Sequence, residues 1–140
     1  MRTNLPVTDV ERTFEIDRFI VSKTDTKGII TYCNRTFIEV SGYEEEELLG
    51  RPHNIVRHPD MPAAAFADLW STIQSGQEWN GIVKNRCKNG DYYWVDAQVT
   101  PSLGPGGEIV GYMSVRRKPT PAQVADAERL YAQMRAEEGR

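Results

Sequence analysis

The chain has 140 residues, of which 39% are hydrophobic and 26% charged, a length that suits one domain burying roughly two-thirds of its unfolded surface. Lys and Arg number 17 and Asp and Glu 20, for a formal net charge of −3; with no basic cluster to release counterions, no nucleic-acid partner is expected. The longest uncharged run, Ala97 to Gly107, is 11 residues with two prolines and three glycines, against the about 20 apolar residues of a membrane span, so no direct membrane insertion by this segment is expected. The N-terminus lacks the apolar stretch of a signal peptide. Two cysteines, Cys33 and Cys87, with no CxxC, predict a reducing, cytoplasmic setting rather than a disulfide framework.

Residues 1–16 are polar and without periodicity, which predicts an arm, flexible or docked on a partner. Phe19–Thr24 and Ile29–Cys33 read as strands joined by the turn Asp25-Thr26-Lys27-Gly28, a hairpin. Asn34 is placed to cap a short helix to Ser41 that buries Phe37 and Ile38 and is broken by Gly42; Glu44–Leu49 predicts another. Three prolines between Arg51 and Pro62 predict an irregular stretch. Phe66, Leu69, Trp70 and Ile73 then recur at helical spacing up to Gly76. Trp79–Lys88 and Tyr92–Pro101 flank Asn89-Gly90, a hairpin signal. A turn at Gly104–Gly107 leads to a last strand, Ile109–Arg117. Thr120-Pro121-Ala122-Gln123 combines a capping box with proline at the first helical position, and the helix runs to about Glu138.

Two strands, short helices, three strands and a trailing helix predict an α+β class: one five-stranded antiparallel sheet with short helices on one face, plus a C-terminal helix. The expected organisation is an arm over 1–16, a central domain over 17–119 and a C-terminal linker helix over 120–140.

Strand alternation sets Trp79, Gly81, Val83, Asn85 and Cys87 on the inward face, with Asn80, Ile82, Lys84, Arg86 and Lys88 toward solvent. Asn85 is thus an inward amide, which needs a backbone partner or a ligand with matching donors and acceptors. Tyr92 and Trp94 fall on the outer face, and Tyr112 and Ile82 are expected to join them in a partly exposed patch fit for a protein contact. The loop His53–Asp60 gathers two imidazoles, a guanidinium and a carboxylate. Arg57 there suits a phosphate or Asp60; Asp60 equally suits a helix cap. The spacing of His53, His58 and Asp60 does not fit a metal site on a proline-rich loop. No nucleophile–base pair, GxGxxG or P-loop is present, so no enzymatic site is read.

The runs Thr24-Asp25-Thr26-Lys27-Gly28-Ile29-Ile30-Thr31-Tyr32-Cys33-Asn34, Ser41-Gly42-Tyr43, Leu48-Leu49-Gly50, Lys88-Asn89-Gly90-Asp91-Tyr92-Tyr93-Trp94-Val95 and Gly111-Tyr112 resemble the PAS domain family. Gly50-Arg51-Pro52-His53-Asn54-Ile55-Val56-Arg57-His58-Pro59-Asp60-Met61-Pro62, Ala65–Trp70 and Gly81–Arg86 resemble, more closely, the sensory domains of aerotaxis receptors, over roughly residues 18–135. The resemblance implies a PAS fold that holds FAD non-covalently and senses redox or oxygen state. It implies a membrane-anchored parent receptor acting through a HAMP and signalling region, with a homodimer among the expected assemblies. By position it implies Arg57, His58, Asp60 and Asn85 in the flavin site, His53 nearby, and Trp79 at the mouth and Asn34 as weaker transfers. Cys87 stands where that group more often has Arg. A haem-binding gas sensor and a ligand-free interaction module are the alternative readings.

Overall fold

The architecture comes from a computed structural model, which describes residues 4–139; residues 1–3 of the expected arm and residue 140 of the expected linker helix lie outside it. The strands β1 (Ile20–Thr24) and β2 (Ile30–Cys33) form the expected hairpin. Asp25 closes its turn: Oδ1 accepts from the amides of Lys27 and Ile29, and Gly28 takes φ +86°, a conformation that any side chain would strain. Helix α1 (Arg35–Ser41) starts at Asn34, whose side chain accepts from the Phe37 amide. Helix α2 (Glu45–Leu48) is held by a reciprocal Glu44–Glu47 capping box. The proline-rich stretch contains one 3-10 turn, His53–Val56, which follows Pro52 so that the missing proline N–H costs no helical bond. Helix α3 (Ala63–Gln74) follows Pro62 and has no side-chain cap at its first residue.

The strands β3 (Trp79–Arg86), β4 (Tyr92–Leu103) and β5 (Ile109–Arg117) run as an antiparallel meander, and the sheet order is β2-β1-β5-β4-β3. First and last strands therefore pair, with Ser22 opposite Ser114. The chain leaves the sheet at one edge and re-enters at the other, so residues 34–78 must cross four strand spacings, roughly 19 Å. That crossing lays α1–α3 over one face. Phe37, Leu48, Val56, Met61 and Ile73 pack there against Ile20, Ile30, Tyr93 and Val95.

The opposite face departs from expectation. Helix α4 (Pro121–Glu137), which starts at the Thr120–Gln123 capping box, packs on β3. Beside it lies the N-terminal arm. Pairing of β4 with β5 begins only at Asp96, which leaves the edge of β4 at Tyr92 open. The arm takes that edge: the Tyr92 amide donates to the Val10 carbonyl, and the Arg12 amide to the Tyr92 carbonyl. Arg86, expected in solvent, is buried beneath the arm and donates to the Pro6 carbonyl. Trp94 is buried with Phe14, Ala127 and Tyr131 in the same apolar cluster. Tyr112 is on the inner face, not the outer one: it lies opposite Pro101 and meets Trp70 of α3 edge to face at 5.7 Å. The outer patch expected from alternation is thus covered on its β3–β4 side by segments whose composition is polar and unremarkable.

Candidate functional site

Between the inner sheet face and the crossover lies a cavity of about 360 Å³, within the roughly 300–1,000 Å³ of small-molecule sites. The sheet contributes Ser22, Val83, Asn85, Tyr112 and Arg116, and the crossover His53, Asn54, Arg57, Phe66 and Trp70. Among the described residues its lining carries three cations, Lys27, Arg57 and Arg116, and no carboxylate, in a chain of net charge −3.

Arg57 and Asn85 line it together and share an isolated antiparallel β-bridge that pins the loop to the edge strand β3. The Arg57 guanidinium stacks on the Phe66 ring at 3.7 Å, and burial lowers its pKa. Asn4 of the arm holds the same loop from outside, donating to the carbonyls of Asn54 and Arg57 at 3.0 and 2.8 Å. Asn85 is 4% exposed, on the inward face that alternation predicts. It lies opposite Tyr93, whose phenol burial pushes up.

On β5 stands Arg116. Its Nη2 donates to Ser22 Oγ at 2.7 Å and its Nη1 to His53 Nε2 at 3.1 Å, and the guanidinium lies 4.6 Å over the Phe37 ring. Arginine only donates, so His53 Nε2 is an acceptor and the ring proton is on Nδ1. Burial, reinforced by the Arg116 charge, pushes His53 down to about 3, so the ring is neutral at physiological pH. Burial lowers Arg116 itself to about 10. None of the ion pairs among the described residues includes Arg116, and such a charge is costly to bury without a counter-charge or a full set of acceptors. Its Nε, the Arg57 Nε and the Asn54 Oδ1 are all buried without hydrogen-bond partners.

Of the seven residues singled out in the sequence, His53, Arg57 and Asn85 meet at this cavity; the other four lie outside its lining. His58 is buried behind the loop, its Nδ1 accepting from the Asp60 amide at 3.0 Å and its ring edge-on to Tyr92. Burial and the nearby Lys84 push it down to about 4. Asp60 pairs with Lys84 at 2.8 Å on the far side of that loop. Trp79, expected at the mouth, turns its indole N–H to Asp68 Oδ2 at 2.9 Å and covers Gly81. Asn34 spends its amide locally, accepting from Val21 and Phe37 and donating to Phe19. Arg116, Ser22 and Lys27 were not singled out. Alternation along β5 puts Tyr112, Ser114 and Arg116 on one face, and a correct placement of Tyr112 would have carried Arg116 inward with it.

Residues 30–116 match the family model described as the PAS fold. The chain belongs to the PAS family. This PAS domain is 52% identical over 120 residues to the aerotaxis receptor of Escherichia coli (strain K12), covering 86% of this chain and 24% of that protein. It is 32% identical over 97 residues to the nitrogen fixation regulatory protein of Klebsiella pneumoniae, covering 69% and 20%. The chain thus spans about a quarter or less of the length of these curated relatives. Among solved structures, the dark structure of the blue-light photoreceptor Aureochrome1 LOV aligns with a TM-score of 0.69 at 23% identity, over 85% of this chain and 86% of that one, a likeness of fold.

Proposed function

We propose that this PAS domain is the sensor of an aerotaxis-type receptor, that it binds FAD non-covalently, and that it reports the redox state of the flavin. The observation that carries the reading is the cavity itself: three lining cations without a carboxylate, and unpaired buried polar atoms on Asn54, Arg57 and Arg116. A ring system with acceptors along its edge and a phosphate-bearing tail answers both. Bound flavin supplies a ring edge that changes from hydrogen-bond acceptor to donor on reduction. Asn85 suits such an edge because an amide both donates and accepts. Arg116 and Arg57 present donors, while neutral His53 fixes the orientation of Arg116. His58 and Asp60 act through the loop that holds Arg57, Asn34 by anchoring α1, and Trp79 by packing α3 on β3. The identity to the aerotaxis receptor supports the redox or oxygen reading, with a HAMP and signalling region of the parent protein as the partner, a homodimer as the assembly, and a cytoplasmic position beside the anchored parent.

The alternatives fare worse on the same geometry. A haem sensor needs an axial imidazole, but His53 Nε2 already accepts from Arg116 and His58 is outside the cavity lining. A ligand-free module leaves the buried orphan donors unanswered. The test is the visible spectrum of the purified protein, followed by chromatography of the supernatant after denaturation. A yellow preparation releasing FAD supports the proposal. A Soret band, a colourless protein that takes up no added flavin, or release of FMN alone overturns it.

A further inference from the structure

Of the described residues lining the cavity, only Lys27 and Pro52 are solvent-exposed; they mark its rim. The two lie side by side, because Ile29 bridges to Pro52 and the His53 amide donates to the Gly28 carbonyl at 2.9 Å. The Lys27 backbone is fixed. Asp25 Oδ1 accepts from its amide at 2.9 Å, and the next residue, Gly28, is packed so closely on α3 that a Cβ there would sit 3.0 Å from the Trp70 ring. The Lys27 ammonium has no carboxylate within ion-pair distance among the described residues. The two inner cations, which also lack a carboxylate partner, lie over aromatic rings, Arg57 on Phe66 and Arg116 on Phe37, a contact Lys27 does not share among the described residues.

We infer that Lys27 is the rim contact for the phosphate-bearing tail of the bound nucleotide, and so a determinant of nucleotide over unphosphorylated flavin. The inference rests on the flavin reading above. If the ring edge meets the inner residues Asn85 and Arg57, the tail leaves past the exposed β1–β2 turn, where Lys27 is, among the described residues, the one lining cation that is both exposed and unpaired. An ammonium is a compact, mobile point charge, suited to a phosphate whose position shifts, where a fixed fork is of no advantage.

Apo-protein prepared by flavin removal is titrated with FAD, FMN and riboflavin, followed by flavin fluorescence, for the native chain, Lys27→Gln and Lys27→Arg. Lys27→Gln is expected to weaken FAD by about three- to tenfold, the size of one exposed charge-assisted contact, with riboflavin unchanged, and Lys27→Arg to restore most of the loss. FMN weakened together with FAD places the contact at the ribityl phosphate; loss confined to FAD places it at the second phosphate. FAD affinity unchanged in Lys27→Gln, or riboflavin falling in proportion to FAD, overturns the inference while leaving the flavin reading intact. A native chain that binds none of the three overturns the flavin reading instead.

Discussion

Arg57 and Asn85 are joined backbone to backbone by an antiparallel bridge, although one belongs to a proline-rich loop and the other to an edge strand. The bridge sets a guanidinium and an amide on the same cavity wall and makes the loop position depend on β3. Through this bridge, a change in how Asn85 bonds a ligand is expected to reach the loop, and through the loop α4. Arg135 of α4 donates to the Asp60 carbonyl, Tyr131 donates to the Ile82 carbonyl, and the Glu138 carboxylate accepts from the Ala63 and Ala64 amides at the start of α3.

Asn85→Ser is expected to retain the fold and to weaken flavin by tenfold or more, because a short hydroxyl cannot span the space of the amide and leaves a buried ligand atom unpaired, at about 1–3 kcal/mol. Lys84→Ser removes the outer ion pair with Asp60 and the cation over Tyr92. Its expected effect is a stability loss of up to about 1 kcal/mol with flavin affinity within a factor of about two. Urea denaturation and flavin titration of both variants separate the two; equal losses of flavin would contradict the opposed faces.

Both histidines titrate in a direction that makes the fold acid-sensitive. His53 and His58 are depressed to about 3 and about 4, so between those values and the ordinary 6.5 the unfolded chain binds more protons than the folded one. Stability is complete above pH 6.5 and is lost as pH falls below it, by about 1.4 kcal/mol per pH unit for each histidine. Urea midpoints from pH 7.5 to 4.5 measure this. His58→Gln is expected to flatten the slope by about half, and a flat native profile would contradict the burial of both rings.

Blue light is expected to leave no persistent flavin–thiol adduct. Neither Cys33 nor Cys87 lines the cavity. Burial raises both thiols, Cys87 to about 11, and Cys87 Sγ is turned to the Val40 carbonyl. Illuminated and dark spectra should match after seconds in the native chain and in the Cys33→Ala/Cys87→Ala variant alike; an adduct band lost in that variant would refute this.

The α4 contacts predict a reporter. Glu138→Gln is expected to speed hydrogen exchange at the Ala63 and Ala64 amides about fivefold, since the Pro62 cap position makes no side-chain cap bond and a lost cap is worth about 1 kcal/mol. Tyr131→Phe should cost about 1 kcal/mol of stability and loosen α4 over β3. Chemical reduction of the flavin-loaded domain should change protection in residues 57–64 and in α4 together. Change in one without the other would break the proposed link.

The elements themselves were determined by the sequence, because their causes are local. Asn34 and Thr120 cap the helices they precede, Asn89-Gly90 turns one hairpin, and period-two alternation alone turned Asn85 inward. The PAS family was legible as well, in the runs Thr24 to Asn34 and Lys88 to Val95. Three things were decided only by tertiary structure. Pairing β1 with β5 brought Ser22, His53 and Arg116 together, and no local pattern marks an arginine that will be buried. The short reach of β5 left an edge at Tyr92 for the polar arm, so the solvent face inferred for Arg86 and Trp94 became an interior. Proximity of the β1–β2 turn to α3 made Lys27 a rim residue, whereas in sequence it is one charge in a surface turn. Alternation assigns a face but not what covers it, since covering depends on contacts between segments that are distant in the chain.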